Sequence, residues 1–173
     1  MKDLDEEKFC LELRITRDCE KGKIFIDQQN YIEEILKRFN MANSNAVSTP
    51  ANASLKLDKT MSPSTPEEVE VIKAVPFKQA VGSLLYAAQA TRPDIAYAVN
   101  MVSQFCSDPG QWHWEAVKRN LRYLRGTTEA RLEYSANGTS QLTGYSDADW
   151  GGDVDTRKST TGYIFMKMGE AVS

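Results

Sequence analysis

Long apolar runs are missing from this sequence. No stretch approaches the ~20 consecutive apolar residues that a membrane-spanning helix needs. The opening MKDLDEEK is charged and lacks the apolar centre of a signal peptide. An intracellular protein without a membrane partner is expected. Histidine occurs once, as His113, which leaves little from which to build a zinc site. The three cysteines, Cys10, Cys19 and Cys106, form no CxxC pair and leave one over, so a reducing compartment suits them better than a disulfide framework. Excess positive charge is lacking too. With 21 Lys and Arg against 24 Asp and Glu the formal charge is -3, so any contact with a polyanion needs a local patch. What is present is 41% hydrophobic residues over 173 positions, enough to build a core in one domain or two small ones.

Phe9 to Ile15 alternates as a strand does, and Lys23 to Ile26 reads as a second strand across the turn Glu20-Lys21-Gly22. After Asp27, a candidate N-cap, QQNYIEEILKRFNM sets Tyr31, Ile32, Ile35, Leu36 and Phe39 on one helical face. That helix needs a partner. Residues 43–66 are rich in Ser, Thr, Asn and Pro and read as a long connector. From Pro76 the three-four spacing returns with Phe77, Val81, Leu84, Leu85 and Ala88, until Thr91-Arg92-Pro93 interrupts it. A second helix starts at Pro93, with Asp94 beside its positive end and Ile95, Val99, Val102 and Phe105 as its apolar stripe. Ser107-Asp108-Pro109-Gly110 breaks the chain, with Asp108 as candidate cap, before a third helix that Gly126 can end. Three amphipathic helices with short links predict a small bundle. Strand patterns follow at Arg131 to Tyr134, Leu142 to Ala148 and Tyr163 to Met168, the first two joined through Asn137-Gly138.

Three places could carry chemistry. On the third helix Trp114, Val117, Leu121 and Leu124 share one side, while Lys118, Arg119, Arg122 and Arg125 fill the adjoining arc. Cations one helical turn apart can meet successive phosphates. On spacing alone, a solvated face beside a core stripe is the favoured reading, since it accounts for most such helices. The run GYSDADWGGDVDTRKSTTGYIF ends a strand in Asp147 and Asp149, which alternation puts on one face. Two carboxylates there suit Mg²⁺, yet two-metal chemistry needs carboxylates from several elements, and an acidic turn is the competing reading. His113, between Trp112 and Trp114, has no nucleophile or base partner suggested by position, and tryptophans at a helix start usually anchor packing.

The runs AVGSLLYAAQATRPDIAYAV, HWEAVKRNLRYLRGT and GYSDADWGGDVDTRKSTTGYIF, in that order and spacing, resemble the copia-type LTR retrotransposon Pol polyprotein. The similarity extends upstream through MKDL, YIEEILKRFNM and VSTP, so it covers nearly the whole chain. It implies an α+β protein running from the end of a reverse transcriptase into the start of RNase H. Residues 1–50 would be the tail of the palm, 51–75 a connector, 76–128 a thumb-like helical region and 129–173 the first antiparallel strands of an incomplete RNase H domain. It implies that Lys118, Arg119, Arg122 and Arg125 contact a primer–template duplex or RNA–DNA hybrid. It also implies that Asp147 is the first RNase H carboxylate, a catalytic residue and ligand of Mg²⁺, with Asp149 a neighbour.

The family's Tyr-x-Asp-Asp motif is expected upstream of Met1, and the other RNase H carboxylates beyond Ser173. The chain alone is then expected to bind no Mg²⁺ productively and to catalyse neither reaction. Its partner would be the remainder of the polyprotein, in a cytoplasmic virus-like particle or the nucleus. A nucleic-acid-binding module retained by a host and using the basic helix 111–125 is the alternative. Asp5, Glu12, Arg131 and Glu170 stand where relatives usually have glycine, which weakens the assignment of the first strands to a primer grip. Both ends are expected to expose strand edges.

Overall fold

The computed structural model describes residues 6–172, so the MKDL motif, Asp5 and Ser173 lie outside the described residues. Three strands precede a run of helices and four strands follow it, and the strands form open antiparallel sheets, an α+β arrangement as the sequence pattern predicts. The strands are β1 (Phe9–Cys10), β2 (Leu13–Asp18), β3 (Lys23–Asp27), β4 (Leu132–Ser135), β5 (Thr143–Ala148), β6 (Thr161–Lys167) and β7 (Glu170–Ala171). The helices are α1 (Gln29–Arg38), α2 (Pro66–Lys73), α3 (Phe77–Ala90), α4 (Ala96–Ser103) and α5 (Gln111–Gly126). Two short 3-10 turns, Lys59–Met61 and Pro93–Ile95, lie between them.

The apolar stripes meet as their spacing requires. Ile32, Ile35 and Leu36 of α1 join Phe77, Val81 and Leu84 of α3, Val99 and Val102 of α4, and Val117, Leu121 and Leu124 of α5 in one buried cluster. Helix α1 therefore finds its partner in α3 and α5. Each fully buried Leu or Ile contributes ~1.5–3 kcal/mol, so this cluster is the stabilising centre of the fold. Arg92 is buried against it, 1% exposed. Its guanidinium donates to both Asp94 oxygens, at 3.0 and 2.7 Å, and to the carbonyl and hydroxyl of Thr127, at 3.0 and 2.6 Å. Burial raises the Asp94 pKa, but the Arg92 bonds and charge, with the Tyr123 hydroxyl, outweigh it and hold the carboxyl below its usual value.

Several expectations are corrected. The strand expected over Phe9 to Ile15 is a hairpin of β1 and β2, turned by Leu11 and Glu12 at φ of 49° and 62°. Alternation could not show this, because neither residue is a usual turn former. The connector contains α2, whose capping box links Thr65 and Glu68; eight residues with a short apolar face gave too little periodicity to see. The cap of α1 is Gln28, one residue beyond Asp27, although Asp27 still accepts the Gln29 N–H at 3.1 Å. The N-cap of α5 is Gly110, not Asp108, and it is the His113 ring that accepts the Gly110 N–H.

The Arg131 to Tyr134 strand does not pair with its successor. It is β4, and it adds to β3 in a four-stranded sheet of order β1-β2-β3-β4. Residues 132–135, from the stretch expected to begin RNase H, thus pair with the amino-terminal sheet. Asn137-Gly138 leads out of that sheet rather than turning a hairpin. β5, β6 and β7 form a second, three-stranded sheet. The two sheets are stitched where the Ser135 N–H donates to the Met168 carbonyl and the Met168 N–H to that of Thr139. A Cβ at Gly138 would lie 2.7 Å from Met168 backbone atoms, so the stitch needs glycine.

Candidate nucleic-acid interface

The basic arc of α5 exists, and a strand of irregular chain lies along it. Arg119 Nε donates to the Thr49 carbonyl at 3.2 Å and its Nη2 to the Thr49 hydroxyl at 2.8 Å. Arg122 Nε donates to the Asn45 carbonyl and Arg125 Nε to that of Ala42, both at 2.7 Å. Position falls from 49 to 42 as the helix rises from 119 to 125, so the connector runs antiparallel to α5. Polar Ser/Thr/Asn composition leaves this segment's backbone without ladder partners, and the arginines supply donors for it. Lys118 instead pairs with Glu115 at 2.6 Å. Among the described residues none of the three arginines pairs with a carboxylate, so their charges stay uncompensated.

His113 fixes the other end of the connector. Its ring is fully buried and stacked on Phe105, with centroids 3.9 Å apart. Nδ1 accepts from the Gly110 N–H at 2.8 Å, which leaves Nε2 as the protonated nitrogen, donating to the Asp58 carbonyl at 3.1 Å. Burial lowers its pKa below the ordinary histidine value. This is a structural histidine, in keeping with its having no catalytic partner. Trp114 packs on the core beside Phe77, whereas Trp112 is largely exposed. The expectation that both tryptophans anchor packing holds for Trp114 alone.

Asp147 sits in β5 opposite Gly162, with an exposed side chain. Asp147 and Asp149 line one cleft of about 850 Å³ between the second sheet and helices α3 and α4. Asp149 closes the loop between β5 and β6, because its Oδ1 accepts the Gly152 N–H at 3.2 Å and the Thr160 N–H at 2.9 Å. Asp153 accepts from the Asp155 and Thr156 backbone, and Asp155 accepts the Lys59 N–H. Asp149 and Asp153 hold turns and Asp155 ties the loop to Lys59, so of these four acids Asp147 alone keeps its carboxylate unengaged among the described residues. No group of three or more His, Cys, Asp or Glu side chains that could hold a metal converges among the described residues. The residues here therefore do not fit a Mg²⁺ site on their own, and Asp147 could supply one ligand at most.

Comparison with known proteins gives the context of these residues. The retrovirus-related Pol polyprotein from transposon TNT 1-94 of Nicotiana tabacum is 50% identical over all 173 residues. That from transposon RE2 of Arabidopsis thaliana is 41% identical over 141 residues, 82% of the chain. The chain belongs to the retrovirus-related transposon Pol polyproteins. It spans 13% of the tobacco polyprotein and 9% of RE2. The secreted RxLR effector protein 161 of Plasmopara viticola is 53% identical over 102 residues, 59% of the chain and 72% of the effector. No family model and no solved structure matches.

In this Pol segment the basic face and the acidic strand end each border a cleft. The cleft beside the basic face, of about 830 Å³, lies between the connector, α4 and α5, and the loop after β5. Arg119, Arg122, Trp112 and Tyr97 line it. Of this aromatic pair the sequence draws attention to Trp112 alone, beside His113, because Tyr97 looks like any outward residue of α4. No helix among the described residues is long and apolar enough to cross a membrane.

Proposed function

We propose that this chain is the part of a copia-type Pol polyprotein in which the reverse transcriptase passes into RNase H. The polyprotein's family role is RNA-templated DNA synthesis and hydrolysis of RNA in RNA–DNA hybrids. The observation that carries this reading is the 50% identity to the tobacco polyprotein across every residue of the chain. Helix α5 serves as a thumb-like element whose Arg119, Arg122 and Arg125 contact the phosphate backbone, with Lys118 at its margin. Asp147 contributes the first carboxylate of an RNase H site that Mg²⁺ occupies only when other parts of the polyprotein complete it. The uncompensated arginine charges support the first assignment, and the free, exposed carboxylate supports the second.

Titration of the purified chain with a labelled RNA–DNA hybrid tests it. Binding is expected at low salt and should weaken steeply as salt rises, with Arg122→Ala lowering both the affinity and the salt slope. No binding at low salt would refute the assignment of α5. The chain alone is expected not to cleave the hybrid with Mg²⁺; cleavage abolished by Asp147→Ala would overturn that. A second reading is a separately kept nucleic-acid-binding module, favoured by the chain's match to 72% of the effector's length. An in-frame Tyr-x-Asp-Asp in the flanking DNA would decide against it.

A further inference from the structure

The arginine row and the second cleft share Arg119 and Arg122, and their neighbours there are aromatic. Tyr97 and Trp112 line the same cleft and are 62% and 58% exposed. These are unusual residues to leave in water beside cations. The connector carbonyls accept the Nε proton of each arginine, and the Thr49 hydroxyl accepts from Arg119 Nη2. Arg119 Nη1 and both Nη groups of Arg122 and Arg125 remain uncommitted among the described residues. A neutral carbonyl orients a guanidinium without cancelling its charge, so the connector acts as a strap that holds three cations in a row. Glu115 and Asp149 also border the cleft, but Lys118 holds the first at 2.6 Å and the Gly152 and Thr160 N–H groups hold the second.

We infer that this cleft is a track for a single unpaired nucleic-acid strand, whose bases stack on Tyr97 and Trp112 while its phosphates meet the strap-held arginines. A duplex stacks its bases inside itself, so exposed aromatic faces gain nothing from it. An unpaired strand offers a π-face with every base and a phosphate beside each one. Charge complementarity selects a polyanion over an apolar peptide. The inference shares its arginines with the proposed role of α5 and adds the aromatic wall, which that role does not use.

Fluorescence anisotropy of the 173-residue chain with a labelled oligothymidylate of about 15 nucleotides, against an RNA–DNA hybrid of equal length, separates the two. The single strand is expected to bind more tightly. Trp112→Ala and Tyr97→Ala should each weaken it about 5- to 150-fold while leaving hybrid affinity within about two-fold. Both side chains are largely exposed, so neither change threatens the fold, and circular dichroism checks this. Hybrid binding without single-strand binding would overturn the track and leave the role of α5 intact. Single-strand binding without hybrid binding would do the reverse. Single-strand affinity unmoved by both aromatic variants overturns the track, as does binding of neither probe.

Discussion

The proton on His113 resides on Nε2, because Nδ1 is occupied as an acceptor from Gly110. Protonating the ring would place a second N–H against that donor. Burial, the largest effect, lowers the pKa, and it outweighs the opposing pull of Asp58, Asp108 and Asp155. Below the ordinary histidine value of ~6.5 the unfolded chain binds a proton that the folded chain refuses. This contribution to stability is therefore fully present above that pH and declines as pH falls through it towards the lowered folded value. Urea midpoints at about pH 7.5 and pH 5.5 should fall with acid for the native chain and change less for His113→Gln. Equal losses in both would remove His113 as the source.

Glu12 presents the opposite case, a side chain at odds with its backbone. Its φ of 62° lies in the left-handed region, where a glycine sits without strain. The resemblance puts glycine at this position in relatives, and the turn geometry gives the reason. Glu12→Gly is expected to stabilise the chain by about 0.5–1 kcal/mol, read as a raised thermal midpoint. The same logic does not extend to Glu170, where the turn's positive φ values fall on Met168 and Gly169 before it. Nor does it extend to Arg131, whose guanidinium lies over the Phe25 ring at 3.7 Å. Arg92→Met should be the most damaging single change of these: it removes the buried donors of the Thr127 groups and the cation beside half-buried Asp94, a loss of about 1–3 kcal/mol, visible in the same urea titration.

Among the elements, the connector between α1 and α3 departs most from its composition. Ser, Thr, Asn and Pro leave it with little to bury, yet Leu57 reaches the core and three arginines of α5 hold its carbonyls. Its order is borrowed from a helix 70 to 83 positions away in sequence, so it should be the first element released when that helix loses a donor. Arg122→Ala is expected to speed amide exchange over residues 42–49 while leaving α3 and α5 protected, since their apolar contacts are untouched. Unchanged exchange there would show that the arginines do not hold the connector. Helix α2 depends on a local device instead. Thr65→Ala removes its capping bond and should lower stability by about 1 kcal/mol, measured by denaturant unfolding.

For the molecule as a whole, stability is unevenly shared. The helical cluster buries its apolar residues and the first sheet buries Phe25 and Leu132 while exposing Phe9 and Ile24, whereas the second sheet buries no large apolar side chain and leaves Tyr145, Tyr163 and Phe165 exposed. Hydrogen exchange should accordingly be fastest in β5 to β7 and slowest in α3 to α5. Uniform protection across both would mean that the second sheet is covered in solution. Outer strands stand at both ends, the two-residue β1 in the first sheet and β5 in the second, and β4 covers only the β3 side of the amino-terminal hairpin.

The sequence alone determined the α+β class, the helical faces and the family. Apolar spacing is local, and α1, α3, α4 and α5 bury the residues that their periods selected. Motif order carries descent whatever the fold does with it. Only the tertiary structure decided the rest, because each remaining point depends on a contact distant in sequence. It sent β4 to β3 instead of β5, and it laid the connector across the arginines that spacing had left free for phosphate. It made Asp149 a loop clasp and left Asp147 unengaged. It also set Trp112 and Tyr97, on different helices, along one cleft with Arg119, a juxtaposition that no reading along the chain could supply.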